Sequence, residues 1–465
     1  MLLEVLMRVL LLNPPNHSSL TARVGWQFPP LGLLYIAAVL RQAGFEPKII
    51  DLSIHNGAEA IDFSPYGAVG ISSDTPRFNL ALGLARQAHA AGKMVFMGGL
   101  HPTFEDTEAL ESGYVHYVVR GEGELTALEL LEYFRKKRYT LRPEDILGLS
   151  WKDEKGELRR SPDRPFIEAL DTLPLPARDL IPLGAYPKKM GRRKVTSIIS
   201  SRGCPNQCSF CSCNVMAGVR WRTRSVEAIL EEIALLDRDY GIKAVGFADD
   251  NFTLDASRIW TFTEQILKRQ MDVHWFCSAT PEKLARNEEL VKQMARAGCK
   301  YMYLGLESGT EHQLKGYHKK TTVEAGAQAI KLLKKYHIKA IASFVIGGIE
   351  ETYDDIMKTL KYALRLNPPT VQFCLLTPYP GTKIYKEYQD RIVTKDWSRY
   401  DIMHAVLRTT HFSPEELQNI LKRMYIRFYF RPRRIPTLLK NLIRGTLIPR
   451  GTNKVKATIT SAEPL

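Results

Sequence analysis

The residues Gly203-Cys204-Pro205-Asn206-Gln207-Cys208-Ser209-Phe210-Cys211 place three thiols in one short loop at spacing C-x3-C-x2-C. Thiolate is the metal-binding form of cysteine, and iron–sulfur clusters are normally held by four such ligands. A loop with three thiols can hold three irons of a [4Fe–4S] cube and leave the fourth open to a small molecule. An open metal position is what catalysis needs and what a purely structural site lacks. Structural zinc sites usually pair two separated couples of Cys or His, and no second couple of suitable spacing is present. Cys213, two residues beyond Cys211, is close enough to be a fourth ligand that would close the cluster into an electron-transfer site. Cys277, Cys299 and Cys374 fall in apolar, strand-like runs and read as small core residues.

The loop needs a scaffold that presents it, and the flanking sequence supplies one. Apolar runs at 195–200, 244–248, 273–278, 301–306, 340–346 and 370–376 alternate with helical patterns, among them 226–237 behind the N-cap residue Ser225 and 323–336. Six such repeats predict a partial (β/α)6 TIM-like barrel over 191–395, whose active mouth lies at the C-terminal ends of its strands. The cysteine loop follows the first of these strands. Other strand ends carry Asp249-Asp250, Glu307-Ser308 and Val345-Ile346-Gly347.

Residues 1–136 alternate in the same way, with strand-like runs at 9–12, 48–52, 68–72, 94–98 and 115–119 and helical patterns at 31–43, 79–91 and 125–136. This predicts a doubly wound, Rossmann-like parallel sheet with ligands beyond the carboxyl ends of its strands. Those ends carry Asn13-Pro14-Pro15, Ser72-Ser73, Gly98-Gly99 with His101 and Thr103, and Gly121-Glu122-Gly123. No G-x-G-x-x-G follows the first strand, which argues against a dinucleotide. Residues 137–190 read as a hairpin around Lys155-Gly156 and a stiff Pro-rich linker, and 396–465 as a basic helical region opened by the capping box Ser413-Pro414-Glu415-Glu416.

The C-x3-C-x2-C loop, with the aromatic Phe210 just before its third cysteine, resembles the signature of the radical S-adenosylmethionine (SAM) superfamily. Pro29-Pro30-Leu31-Gly32, Gly98-Gly99, His101-Pro102-Thr103 and Arg120-Gly121-Glu122-Gly123-Glu124, in that order upstream, resemble the cobalamin-binding domain of one large subfamily. The resemblance implies that Cys204, Cys208 and Cys211 are the catalytic metal ligands and that SAM completes the cluster. An electron then cleaves SAM to methionine and a 5'-deoxyadenosyl radical. It also implies SAM contacts from Phe210 against the adenine, Asp249 and Asp250 near the amino group, Glu307 and Ser308 near the ribose, and Val345, Ile346 and Gly347 behind the adenine. Cobalamin would meet Ser72, Ser73, Gly98, Gly99, His101, Thr103, Gly121, Glu122 and Gly123. Many cobalamin proteins supply a lower cobalt ligand from D-x-H-x-x-G after the first strand; here Asn13-Pro14-Pro15-Asn16 stands there, and Asp51, His55 and Gly57 follow the second strand at the wrong spacing. The resembled subfamily commonly lacks that His, which implies cobalt bound without a protein imidazole underneath. His101 then reads as a packing or hydrogen-bonding residue, and His55 as surface.

The implied activity is methylation of an unactivated carbon, with oxidative cyclisation or rearrangement as the alternative and a non-catalytic iron–sulfur carrier or sensor as the reading from another class. Implied partners are a small-molecule substrate (lipid, isoprenoid or tetrapyrrole-like) and an electron donor such as flavodoxin or ferredoxin. The chain carries a formal charge of +15, and residues 391–465 hold 15 Lys/Arg against 5 Asp/Glu. That tail suits peripheral contact with a membrane surface. Nucleic acid is not expected, because aromatic–basic interleaving is only local and no second cysteine cluster accompanies it. Seven cysteines in 465 residues, four of them crowded together, fit a reducing cytoplasm rather than a disulfide framework. The start, apolar but interrupted by Glu4 and Arg8, reads as a first strand rather than a signal peptide.

Overall fold

The computed structural model describes residues 7–16, 27–54, 61–135, 142–186 and 189–432. They form two seven-stranded sheets and a two-stranded ribbon. The first sheet takes β1 (Arg8–Asn13), β2 (Glu46–Asp51), β3 (Ala68–Ser72), β4 (Met94–Gly98), β5 (Tyr117–Val119), β6 (Leu149–Lys152) and β7 (Leu158–Arg160), in the order β2-β1-β3-β4-β5-β6-β7. β1 to β5 pair in parallel, as expected. The hairpin β6–β7 joins their edge antiparallel, so it extends this sheet instead of standing apart in the linker.

Both faces of β1 are covered, which is why it reads as a continuous apolar run. Val9 and Leu11 pack against helices Leu31–Gln42 and Gly123–Phe134. Leu10 and Leu12 pack against helix Phe78–Ala90 and, from far along the chain, Trp397, Tyr400 and Val406. The segment after the barrel therefore returns to close the N-terminal sheet. Two short helices, Leu100–Phe104 and Asp106–Glu111, occupy the connection after β4 that reads as a loop in the sequence; Pro102 lies within the first turn of the former, where a missing N–H costs nothing.

The second sheet contains β8 (Lys189–Met190) and β9 (Arg193–Ile198), then, after the ribbon of β10 (Ser201–Arg202) and β11 (Arg222–Thr223), β12 (Ala244–Phe247), β13 (His274–Ala279), β14 (Cys299–Glu307), β15 (Lys339–Ile346) and β16 (Thr370–Leu375). Its order is β16-β15-β14-β13-β12-β9-β8, parallel except for β8, a curled half-barrel. Strand alternation separates two environments. On β14, Met302, Leu304 and Leu306 are buried under the helices, whereas Tyr301, Tyr303 and Gly305 on the inner face stay partly open. Helix Val226–Tyr240 begins at Ser225, whose side chain accepts from the Ala228 N–H, and ends at Gly241 in the left-handed region. Cys277, Cys299 and Cys374 are buried, as expected for core residues.

The Pro-rich linker is pinned on both sides. Ala177, Ile181 and Tyr186 join the N-terminal core. Arg178 reaches Ser197 O of β9 and the buried Glu232, each at 2.8 Å. Helix Pro414–Tyr429 has the expected capping box at Ser413 and Glu416. Its apolar face, Leu417, Leu421, Met424 and Phe428, packs on the barrel. The Tyr425 hydroxyl accepts from Phe373 N (3.0 Å) and donates to Phe373 O (2.9 Å), and Tyr429 does the same at Val371. Two phenols thus satisfy the outer edge of β16. Among the described residues no helix is long and apolar enough to cross a membrane. The basic stretch from 433 onward, along with His55 and Gly57, lies outside the described residues.

Candidate active site

The cysteine loop is pinched off at its base by the ribbon, where Ser201 pairs with Thr223 and Arg202 with Arg222. Gly203 starts it at φ 86, and a Cβ there would lie 2.3 Å from Arg220 O, so only glycine makes the turn. Backbone bonds shape the rest: Cys204 N donates to Gly218 O, Cys211 N to Cys208 O, and Ser209 N to Tyr317 O. Cys204 and Cys208 are buried and Cys211 is half-buried. Burial pushes the Cys204 thiol up and that of Cys208 up to about 11. Cys211 is held down to about 7, chiefly because the Cys213 thiol donates to it. Buried thiols are reluctant to ionise alone and do so when a metal takes up their charge.

Among the described residues no three His, Cys, Asp or Glu side chains converge tightly enough to hold a single metal ion. A cube spreads its thiolate positions over its corners, and one loop with three thiols fits it. Cys213 opens the helix Cys213–Ala217 and shares its thiol with Cys211 and Asp250.

The residues expected around SAM divide by orientation. Phe210 packs edge-on against Tyr317, ring centroids 5.4 Å apart, in a cluster with Val345 and Ile349. Ile346 points the other way, its side chain fully buried beneath the helices; strand alternation allows only one of the two neighbours to face in. Asp249, beyond the end of β12, is held by hydrogen bonds. Its carboxylate turns inward and accepts from Ser200 N (2.7 Å), Ser200 Oγ (2.5 Å) and Ser201 Oγ (2.5 Å). It fastens the root of the cysteine loop. Asp250 is the residue that faces the loop, near Cys213 and the Gly203 N–H.

Glu307 lies at φ 60 where β14 and β15 slip in register, a strained backbone of the kind that collects at functional sites. Its carboxylate is 2.6 Å from Lys319 Nζ. Lys319, buried and cationic, stands within electrostatic reach of Cys208 and Cys211, and nothing in its sequence surroundings marks it out. Ser308 is fully buried, and its side chain bonds Thr310 and Thr359 and knits the turn. Gly347 sits at φ 83, and the N–H groups of Gly347 and Gly348 both donate to the buried Glu351 carboxylate. Burial raises Glu351 to about 7.

On the N-terminal sheet the order β2-β1-β3 puts a topological switch point between β1 and β3, where ligands of doubly wound folds bind. A cavity of about 230 Å³ lies there, lined by Asn13, Gln27, Phe28, Pro30, Ser53 and Ser72 among others. Its floor is a polar network: Asn13 Nδ2 to Asp51 (2.7 Å), Tyr186 OH to Asp51 (2.5 Å), Arg77 to Asn13 (3.0 Å). Beside it, Gly99 at φ 100 lets the chain pass so close to Ser73 that a Cβ would sit 2.5 Å from Ser73 O. Gly98 touches Val119, and Gly123 lies against Ile36. Thr103 Oγ1 donates to Gly99 O (2.7 Å) and accepts from Gly121 N (3.1 Å), tying two ligand loops together.

His101 is a packing residue, as its context suggests. It lies between Phe78 and Trp397, centroids 4.2 and 4.6 Å away, and burial lowers its pKa to about 3. It does not reach the cavity. Glu122 departs from its expected cobalamin contact: it pairs with Arg202 (3.1 Å) and Arg222 (2.9 Å) of the barrel side.

A half-barrel with a three-thiol loop at its mouth is joined here to a doubly wound sheet with a cavity at its switch point. The radical SAM superfamily model matches residues 198–363 and the B12 binding domain model residues 18–131. An uncharacterized methyltransferase of Pyrococcus horikoshii is 36% identical, over 96% of this chain and 97% of its own length. The anaerobic magnesium-protoporphyrin IX monomethyl ester cyclase of Rubrivivax gelatinosus is 27% identical, over 91% and 77%. The solved structure of OxsB, a cobalamin-dependent SAM radical enzyme, superposes with TM-score 0.74 at 18% identity, covering 95% of this chain and 71% of that one. The chain belongs to the cobalamin-binding radical SAM family and is a radical SAM enzyme, with a [4Fe–4S] cluster, SAM and cobalamin as cofactors.

Proposed function

We propose that the chain is a methyltransferase acting on an unactivated carbon of a small, largely apolar molecule of lipid, isoprenoid or tetrapyrrole type. The observation that carries this reading is the pairing of two sites across one domain boundary: the three-thiol loop on the barrel and the switch-point cavity on the adjoining sheet. Bound cofactors supply a carbon-centred radical and a transferable methyl group. The chain's own residues have other tasks. Cys204, Cys208 and Cys211 hold the cluster, Lys319 offsets the charge of their thiolates, and Phe210 with Val345 offers an apolar face to the adenine. Asp250 and Glu307 accept hydrogen bonds from the amino and ribose groups of SAM. Ser72, Gly98, Gly99 and Thr103 would shape the cobalamin seat, and His101, buried between Phe78 and Trp397, serves the packing beneath it.

The inner face of the barrel favours an apolar substrate. Phe276, Tyr301 and Tyr303 stay partly open there, and Phe28, just before the helix Leu31–Gln42, meets Phe276 at 5.8 Å between centroids. Cyclisation is the second reading, favoured by the likeness to the Rubrivivax cyclase.

The test is anaerobic reconstitution with iron, sulfide and hydroxocobalamin, then reduction by flavodoxin or ferredoxin in the presence of SAM. Formation of both 5'-deoxyadenosine and S-adenosylhomocysteine supports methyl transfer. Deoxyadenosine without homocysteine product overturns it in favour of cyclisation or rearrangement.

A further inference from the structure

The loop Arg120-Gly121-Glu122-Gly123-Glu124 follows β5 of the N-terminal sheet, yet its carboxylates are spent on the barrel side. Arg202 Nη2 lies 2.6 Å from Glu124 and Nη1 lies 3.1 Å from Glu122. Arg222 Nη1 lies 2.9 Å from Glu122 and also donates to Ile167 O at 2.7 Å. These two arginines are the paired residues of the ribbon that pinches off the cysteine loop. Arg202 immediately precedes Gly203-Cys204. All four side chains are enclosed, with Arg222 at 2% and Glu124 at 4% exposure. Two cations and two anions balance, so the cluster is neutral as a whole, and removing one member leaves a buried charge uncompensated.

The same four residues connect to the cavity. Gly121 N is bonded to Thr103, Thr103 to Gly99 O, and Gly99 touches Ser73 beside the cavity residue Ser72. Arg202 also lies over the ring of Tyr35 at 5.5 Å, on the helix whose first residues, Leu31 to Leu33, line that cavity. A ligand that stiffens the cavity wall therefore stiffens the stem of the cysteine loop, and coupling of this kind is reciprocal.

We propose that Glu122 and Glu124 are positioning residues that latch the stem of the cysteine loop to the N-terminal sheet, so that occupancy of the cavity and retention of the cluster are coupled. The proposal rests on the cluster being held by Cys204, Cys208 and Cys211. The latch itself is a property of the bare chain.

The experiment has two arms. In the first, as-isolated protein without cofactors is compared with Glu122→Gln by hydrogen–deuterium exchange. Faster exchange across 201–223, with the strands 8–13 and 94–98 unchanged, is expected. In the second, anaerobically reconstituted protein is exposed to an iron chelator, and cluster absorbance is followed with and without hydroxocobalamin. Cobalamin slows cluster loss in the parent on the order of tenfold and by less than about twofold in Glu122→Gln, in line with ordinary coupling strengths. Since a lone buried arginine can unfold the stem, the charge-neutral Arg202→Gln/Glu124→Gln variant repeats both arms. Unchanged exchange over 201–223, or cobalamin protection equal in parent and variants, overturns the latch. Protection absent from the parent overturns the coupling. If no cluster assembles in the parent, the functional reading fails while the exchange arm still decides the latch.

Discussion

Replacing Asp249 by Ala tests whether this carboxylate fastens the loop or binds a cofactor. Three donors converge on it, Ser200 N at 2.7 Å and the Ser200 and Ser201 hydroxyls at 2.5 Å each, and the site is closed to solvent. The Ser200 N–H has no other acceptor available, and leaving it buried and unpaired costs about 1–3 kcal/mol; the two hydroxyl bonds add about 0.5–1.5 kcal/mol each. The expected loss is about 4 kcal/mol, a large share of the 5–15 kcal/mol typical of a folded domain. Asp249→Asn keeps an oxygen for the amide, and the hydroxyls can rotate to meet its NH2 group, so about 1 kcal/mol is expected. The assay is urea unfolding of the protein without cofactors, read by far-UV circular dichroism, with iron content after reconstitution as a second readout. An Ala variant as stable as its parent but deficient in SAM binding would refute the inward-facing role. So would an Asn variant as damaged as the Ala one.

Alanine at Cys204, Cys208 or Cys211 is expected to abolish bound iron, while Cys213→Ala keeps it; iron and sulfide analysis after anaerobic reconstitution decides this, and loss of the cluster in the Cys213 variant would make it a fourth ligand. Glu351, whose pKa is raised to about 7 by burial, favours the protonated fold: its stabilisation is full below the ordinary carboxyl range, near 4.5, and is lost as pH climbs through 7. The free energy of unfolding should therefore fall by on the order of 1–3 kcal/mol between pH 5 and pH 8, and Glu351→Gln should flatten that slope. Gly99→Ala, which must hold φ 100 with a Cβ 2.5 Å from Ser73 O, is expected to cost at least about 2 kcal/mol and to weaken hydroxocobalamin uptake, measured by visible absorbance titration. Glu232→Ala strands Arg178, 3% exposed, and Arg224, and should cost about 3–5 kcal/mol in the same unfolding assay.

Spacing and periodicity made the framework readable. Buried parallel strands are short apolar runs bounded by turns, and each of those runs is a strand, shifted at its ends by a residue or two. Three thiols within eight residues likewise define a loop whatever surrounds it. Facing was harder to read. Asp249 and Asp250 are neighbours of one type, and only the serine donors at 200 and 201 decide which turns in. Val345 and Ile346 differ in orientation by strand alternation, whose phase the apolar run 340–346 conceals because both faces are buried. Glu122 looks like a ligand-loop carboxylate until the barrel side brings two arginines to it. Lys319 had no signal at all: a lysine twelve residues past Glu307 reads as solvated surface, and only the fold buries it.

The phenols of Tyr425 and Tyr429, four residues apart on the last described helix and nearly parallel at 8° between rings, bear on how this protein keeps company with its own copies. A half-barrel ends in a row of amides and carbonyls that another chain could adopt as a template. Each hydroxyl both gives and receives at one residue of that row, so the margin is already spoken for without any further strand. Self-association by strand addition is thereby blocked on that side, and the half-barrel is spared the need to close into a full ring.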